Sequence, residues 1–284
     1  MDRFEEHRSL LEGIAYRMCG VLADAQDIVQ ETHLKWSAAD QDAIRDPRAW
    51  LVTVCSRRAM DLMKSVRMRR EMYVGTWLPE PFLDRSEPNP AEQIAIDETV
   101  SVALMLALEK LSPAERAAFL LHEAFAYGFP EIARILGKSA PACRQLASRA
   151  RTAVRAEKPR FKTTAEEHRR LLEAFFDAAH SGNAERLQTL LAESVELHAD
   201  GGGKVKTAPE GLRGREAVAQ FFLGIWRGSA VRIAPCWFNG SPGLLIYLEG
   251  RLMAALCIGV ESGQIHRIYA LRNPAKLAPF GNLG

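Results

Sequence analysis

No apolar run in this 284-residue chain reaches the roughly 18 residues that a membrane-spanning helix needs, so no membrane role is expected. The first eleven residues are charged and lack the apolar centre of a secretion signal, which points to a soluble, cytoplasmic protein. Cysteine is scarce. The five, Cys19, Cys55, Cys143, Cys236 and Cys257, are odd in number and none forms a C-x-x-C pair. A disulfide framework and a zinc site therefore lack support, and neither a metal nor a cofactor is expected. Charge of one sign is also missing: the formal net charge is +2, so any nucleic-acid partner must be argued from where the charges sit. Repeats and low-complexity tracts are absent. Hydrophobic residues at 48% and charged residues at 25% are globular values, and the length suits two or three domains.

What is present divides by texture. The first 160 residues read as helical. Leu10, Leu11, Ile14, Ala15 and Met18 share one helical face. Asp24 to Trp36 is a second helix, apolar at Ile28, Val29 and Leu34 and polar at Asp24, Asp27, Gln30 and Glu31. Asp46 before Pro47 marks a third helix start. Pro79, Pro81, Pro88 and Pro90 then make a linker, with helix returning from Asp97 to Leu111. Ser112 and Pro113, with Glu115 three places after the serine, open a helix reaching about Phe125. Pro130 to Leu136 and Ala140 to Arg155 are two more helices, separated by Gly137-Lys138-Ser139. From about Val195 short apolar segments bounded by turn residues signal strands: Val231 to Phe238, Leu244 to Leu248 and Ile265 to Leu271.

Positive charge concentrates on two helices. One carries Arg57, Arg58, Lys64, Arg67, Arg69 and Arg70, against Asp61 and Glu71. The other carries Arg144, Arg149, Arg151 and Arg155, between Lys138 and Lys158. Each could be a solvated face; two together suggest two phosphate-binding surfaces. The second has the stronger context, because helix, short glycine turn, helix is a helix-turn-helix pattern. Its second helix would offer Ser139, Pro141, Ala142, Arg144 and Gln145 to a major groove, where Arg can bond guanine and Gln adenine. Ser148, Arg149 and Arg151 lie further along, in reach of phosphate. An ordinary helical hairpin is the plainer alternative.

These residues resemble the extracytoplasmic-function (ECF) sigma factors of bacterial RNA polymerase. Asp24-Ala-Gln-Asp-Ile-Val-Gln-Glu-Thr is similar to sigma region 2, and the resemblance implies that Asp24, Asp27, Gln30 and Glu31 dock on the clamp helices of the beta-prime subunit of core RNA polymerase. Asp46-Pro-Arg-Ala-Trp-Leu, leading to Arg57-Arg58-Ala-Met-Asp61, is similar to the segment that melts and reads the −10 element of promoter DNA, which assigns that task to Arg57, Arg58, Asp61, Lys64, Arg67, Arg69 and Arg70. Many relatives carry Asn where this chain has Arg57. Leu111-Ser-Pro-Ala-Glu-Arg and the helix-turn-helix resemble region 4, which reads the −35 element.

Residues 165–284 exceed a minimal sigma factor. Their order of helices, with Leu171, Leu172, Phe175 and Phe176 on one face of the first, followed by four or five strands, looks like the SnoaL-like, ketosteroid-isomerase-like cone. Three short motifs resemble the sigma subgroup with that domain fused: Trp77-Leu78-Pro79-Glu80-Pro81, Asp200-Gly201-Gly202-Gly203-Lys204 and Asn273-Pro274-Ala275-Lys276-Leu277, the last with Ala275 where Asp is usual. The resemblance implies regulation in cis, with no separate anti-sigma factor required and no enzymatic activity. The cone is expected to pack on the first helical domain near Trp77–Pro81 and Asp200–Lys204.

The expected architecture is multidomain: two all-α sigma domains, a region 2 helical bundle and a region 4 helix-turn-helix, plus an α+β cone. The boundaries are 1–73 for region 2, 74–96 for a linker, 97–158 for region 4, 159–164 for a second linker and 165–284 for the cone. A competing reading is a small-molecule-binding or enzymatic cone with helical targeting domains. Its candidates are His198, Asp200 and His266, the first two on one face of a strand by alternation. A turn aspartate and a hydrogen-bonded histidine are the simpler explanation, and no catalytic residue is assigned.

Overall fold

Local signals set most helix ends. In the computed structural model, which describes residues 3–71, 73–82, 100–157 and 163–282 (the side chains of 66–71, 157 and 282 excepted), Asp46 Oδ1 accepts from the Ala49 amide at 3.0 Å and starts α3. Ser112 and Glu115 form the reciprocal capping box. Gly137 ends its helix at φ +63°, a left-handed conformation in which a Cβ would be strained.

The chain divides into two units, Met1–Met72 with Leu104–Lys158, and Tyr73–Ala103 with Pro159–Gly284. The first holds α1 (Arg8–Cys19), α2 (Leu22–Ser37), α3 (Pro47–Glu71), α4 (Val102–Glu109, from its third residue), α5 (Pro113–Glu123), α6 (Phe129–Leu136) and α7 (Ala140–Glu157). The helix expected from Asp97 begins at Val102; Asp97 itself lies outside the described residues. Leu11, Ile14, Met18, Ile28, Trp36, Leu51 and Cys55 fill the core of α1–α3. On α7, Cys143, Ala147, Ala150 and Val154 form the buried stripe. The segments expected as separate region 2 and region 4 modules thus pack in one unit, α1 and α3 against α5 and α3 against α6.

One buried charge in this unit goes beyond the sequence reading. Arg116 is fully buried, donates from Nε to the Arg17 carbonyl at 3.0 Å, and pairs with Glu109 at 2.6 Å. Burial lowers its pKa to about 10.

The second unit holds α8 (Ala165–Ser181), α9 (Ala184–Leu190), α10 (Arg215–Trp226), α11 (Pro274–Leu277) and five strands: β1 (Leu191–Asp200), β2 (Val231–Phe238), β3 (Ser241–Leu248), β4 (Arg251–Glu261) and β5 (Gln264–Leu271). Among the described residues the sheet order is β1-β5-β4-β3-β2, with β1 parallel to β5 and the other pairs antiparallel. Phe175, Phe176, Phe222 and Trp226 from α8 and α10 pack with Val195 and Leu197 of β1, Leu244 and Ile246 of β3, and Leu256 and Ile258 of β4. The helices therefore cover one sheet face. The layer between helices and sheet is apolar.

Candidate nucleic-acid interface

In α2 the burial follows the expected pattern at Ile28 and Val29 but not at Leu34, which the sequence placed on the apolar face and which is exposed near the end of the helix. Ala25, Ile28, Val29 and Thr32 face inward, while Asp27 and Gln30 are exposed and Asp24 and Glu31 half-buried. Glu31 is not free-standing: Arg58 forks onto it, with Nη2 to Oε1 at 2.7 Å. That hydrogen bond holds the Glu31 carboxyl below the usual carboxylate range. A candidate polymerase contact is therefore joined to a candidate −10 residue across α2 and α3.

On α3, Asp61 and Lys64 are exposed and pair at 2.8 Å. The side chains of Arg67, Arg69 and Arg70 lie outside the described part. Arg57 turns toward α6, donating from Nε to the Ile135 carbonyl at 2.8 Å and from Nη2 to the Arg134 carbonyl at 3.2 Å. These are orphan carbonyls at a helix C-terminus, where a cation is favoured. A cleft of about 490 Å³ lies alongside, with Ile44, Trp50, Val54 and Ile135 among its apolar walls and Arg57 and Arg134 among its charged ones. Trp50 is half-buried and meets Trp36 at 5.6 Å.

The α6–turn–α7 unit has the helix-turn-helix layout. Ile132 and Ile135 are buried, and Leu146 is half-buried. Ser139 Oγ accepts from the Ala142 amide at 3.3 Å and caps α7. Pro141, Arg144, Gln145 and Ser148 are exposed, and Ala142 is half-buried. Arg144 sits 6.0 Å from the Phe129 ring centre. Two of the more distal candidates fold back onto α5: Arg149 pairs with Glu115 at 3.0 Å, and Arg151 reaches Glu123 at 3.1 Å. The exposed N-terminal end of α7 is thus separate from the ion-paired flank.

The three motifs outside these helices meet in the second unit. Asp200 is fully buried at the end of β1. Its Oδ2 accepts from Lys276 Nζ at 2.7 Å and from the Leu78 amide at 2.9 Å. Its Oδ1 accepts from Tyr73 Oη at 2.6 Å and the Gly202 amide at 3.0 Å. Lys276 also donates to the Leu78 carbonyl at 2.5 Å and lies 4.6 Å from the Trp77 ring centre. Asn273 Nδ2 donates to Tyr73 Oη at 2.9 Å. Leu78, Pro79 and Pro81 are buried; Trp77 and Glu80 are half-buried. Burial, then the bond to Asp200, raises the Tyr73 pKa. Gly202, at φ +61°, leaves room that a Cβ would take from Asn273, and Gly203 faces Val74. Gly201 and Leu277 are buried; Lys204, Pro274 and Ala275 are exposed, so the missing carboxylate at 275 would have faced solvent.

The competing catalytic candidates do not converge in the cone. Leu197 and Ala199 face the helices, so His198 and Asp200 point to the opposite sheet face. His198 pairs with Glu196 at 3.3 Å and stacks on Tyr269, and burial lowers its pKa. Asp200 is committed to the linker, and His266 lies 3.9 Å from Glu261. Sequence reasoning missed Tyr73 as a partner of Asp200, since nothing local marks it.

Comparison with known proteins agrees with this layout. Residues 3–70 match the family model for Sigma-70 region 2, and residues 101–154 that for Sigma-70, region 4. The chain is 38% identical to the ECF RNA polymerase sigma factor SigJ of Mycobacterium tuberculosis, over 97% of this chain and 92% of that protein. It is 32% identical to the probable ECF RNA polymerase sigma factor SigI of the same species, over 96% and 93%. The crystal structure of M. tuberculosis SigJ superposes with a TM-score of 0.76 at 36% identity, covering 97% of each chain.

Proposed function

As the chain belongs to the ECF RNA polymerase sigma factors, we propose that its two basic helices divide the promoter between them: α3 engages the −10 element and the N-terminal half of α7 the −35 element. The chain directs promoter-specific transcription initiation. The outer face of α2, through Asp24, Asp27, Gln30 and Glu31, docks on the clamp helices of the beta-prime subunit of core polymerase, which puts its work in the cytoplasm. The observation that carries the −35 reading is the exposed row Pro141, Arg144, Gln145 and Ser148 at the start of a capped second helix. For the −10 reading, the basic α3 runs beside a cleft with apolar walls, which suits an unstacked base and bare phosphate.

Arg57 holds α3 to α6 in this structure. The two elements are about 25 base pairs apart, on the order of 80 Å along B-DNA. Engaging both requires this contact to part, so the free chain is a closed form. The cone regulates that opening in cis, by holding the linker through Asp200, Lys276 and Asn273 with Trp77–Pro81 and the Gly201–Lys204 turn, and no separate anti-sigma factor is needed. No observation favours the enzymatic alternative. Co-purification with core polymerase tests the reading: the full chain should associate, and substitution of Asp27 and Gln30 by Lys should abolish association. Association unchanged by those substitutions would contradict the assignment of α2.

A further inference from the structure

Arg116 lies in the first turn of α5, and its side chain crosses to the last turn of α1. Nε donates to the Arg17 carbonyl at 3.0 Å and Nη1 to Glu109 Oε1 of α4 at 2.6 Å. Carbonyls in a final helical turn lack partners within the helix and favour a cation, which explains the residue type. It does not explain the burial. Arg116 is fully buried while Glu109 is only half-buried, and Arg116 Nη2, closed to solvent, makes no hydrogen bond among the described residues. A guanidinium taken out of water is held well only when all its donors are met. This one forgoes hydration at an unmet nitrogen and leaves its counter-ion partly in water. Around it α5 buries Ala117, Ala118, Phe119, Leu120 and Leu121, and α1 buries Tyr16, Met18 and Cys19. The charge is set among surfaces that are otherwise largely apolar.

We propose that Arg116 limits the stability of the closed arrangement of region 2 and region 4, as a cation whose rehydration offsets the loss of the α1–α5 contact when the two modules part. This rests on the sigma reading and deepens it: Arg57 holds the modules together, and Arg116 keeps that hold reversible. The two arginines differ in their surroundings. Arg57 meets its carbonyls beside the cleft, partly in solvent, and gives up little hydration. Arg116 gives up all of it. An apolar side chain in its place would join two apolar surfaces, and replacing a buried ion pair in that way is often stabilising. Modules joined so would close as one domain, unable to reach two promoter elements at once. Arg116 is a positioning residue. It sets the population of the open form and touches neither DNA nor polymerase.

Two variants of the full chain separate this from a plain structural role. The double variant Arg116→Met, Glu109→Gln fills the same space and removes both charges. Arg116→Lys keeps a cation in place but cannot make both bonds of the guanidinium fork. Labels at Ser37 and Thr152, both exposed, report the distance between the modules by energy transfer. The double variant should raise the urea unfolding midpoint, shift the closed-to-open ratio about tenfold toward closed, and lower run-off transcription with core polymerase several-fold. Arg116→Lys should lower the midpoint and move the distances toward longer values. A double variant that is less stable than wild type, no more closed, or unable to fold would overturn the proposal, because the charge would then be what holds the contact. So would an Arg116→Lys chain that is the more closed of the two; should that chain not fold, the double variant decides alone. Distances and unfolding are measured without polymerase. Failure of the wild-type chain to bind core enzyme would therefore overturn the sigma reading and leave the role of Arg116 to those two measurements.

Discussion

Asp200 and Lys276 form a buried ion pair at 2.7 Å, and between them they hold both the amide and the carbonyl of Leu78. A buried pair is stable only when its remaining hydrogen-bonding groups are satisfied. Here Tyr73, Gly202 and Leu78 complete Asp200, and the rings of Tyr73 and Trp77 face the ammonium. The linker supplies much of that completion, so pair and linker are mutually dependent.

Removing one member should therefore cost far more than a surface charge does. Asp200→Ala is expected to destabilise the C-terminal unit by about 3–5 kcal/mol, because it leaves the Lys276 ammonium buried without its counter-ion. Urea unfolding followed by tryptophan fluorescence measures this. A loss below about 1 kcal/mol would mean that the pair is solvated in solution.

His168 gives a pH signature. It is buried on α8, and burial lowers its pKa to about 4 from the usual 6.5. The unfolded chain then binds the extra proton first, so this group's contribution is full above pH 6.5 and is lost as pH falls toward 4. The size is about 3 kcal/mol. Stability of the wild type and of His168→Leu, compared between pH 7 and 4.5, should show a steeper acid decline in the wild type. Parallel profiles would contradict the assignment.

Arg144 is exposed in the N-terminal half of α7, with Pro141, Gln145 and Ser148 exposed on the same helix. Arg144→Ala should weaken binding to −35 DNA by about 1–3 kcal/mol, and relax preference at one base position. Arg149→Ala should weaken binding to all sequences alike and reduce the salt slope by about 1. A binding titration across single-base variants distinguishes them. Equal, sequence-independent losses from both would assign Arg144 to phosphate.

Where a signal was local, the sequence carried it. Asp46 before Pro47, Ser112 with Glu115, and Gly137 mark helix ends through bonds made within four residues, and each lies where its pattern puts it. β2 has the expected bounds, Val231–Phe238. β4 was harder: Arg251–Glu261 is rich in Ala, Met and Leu, without the β-branched run that announces a strand. The bonds from Arg116 to the Arg17 carbonyl and from Tyr73 to Asp200 were out of reach because the partners lie 99 and 127 residues apart. For the candidate site, residue types on α2, α3 and α7 were legible from family-like wording and spacing. Which of them are tied up, as Arg57 is by the α6 carbonyls and Arg151 by Glu123, depends on packing.

Run-off transcription with purified core polymerase, comparing the full chain with a form ending at Lys158, bears most directly on the whole account. Both should support initiation from a cognate promoter, and removal of the cone should change the yield several-fold. Absence of promoter-dependent transcript from either form, in the presence of active core enzyme, would contradict it.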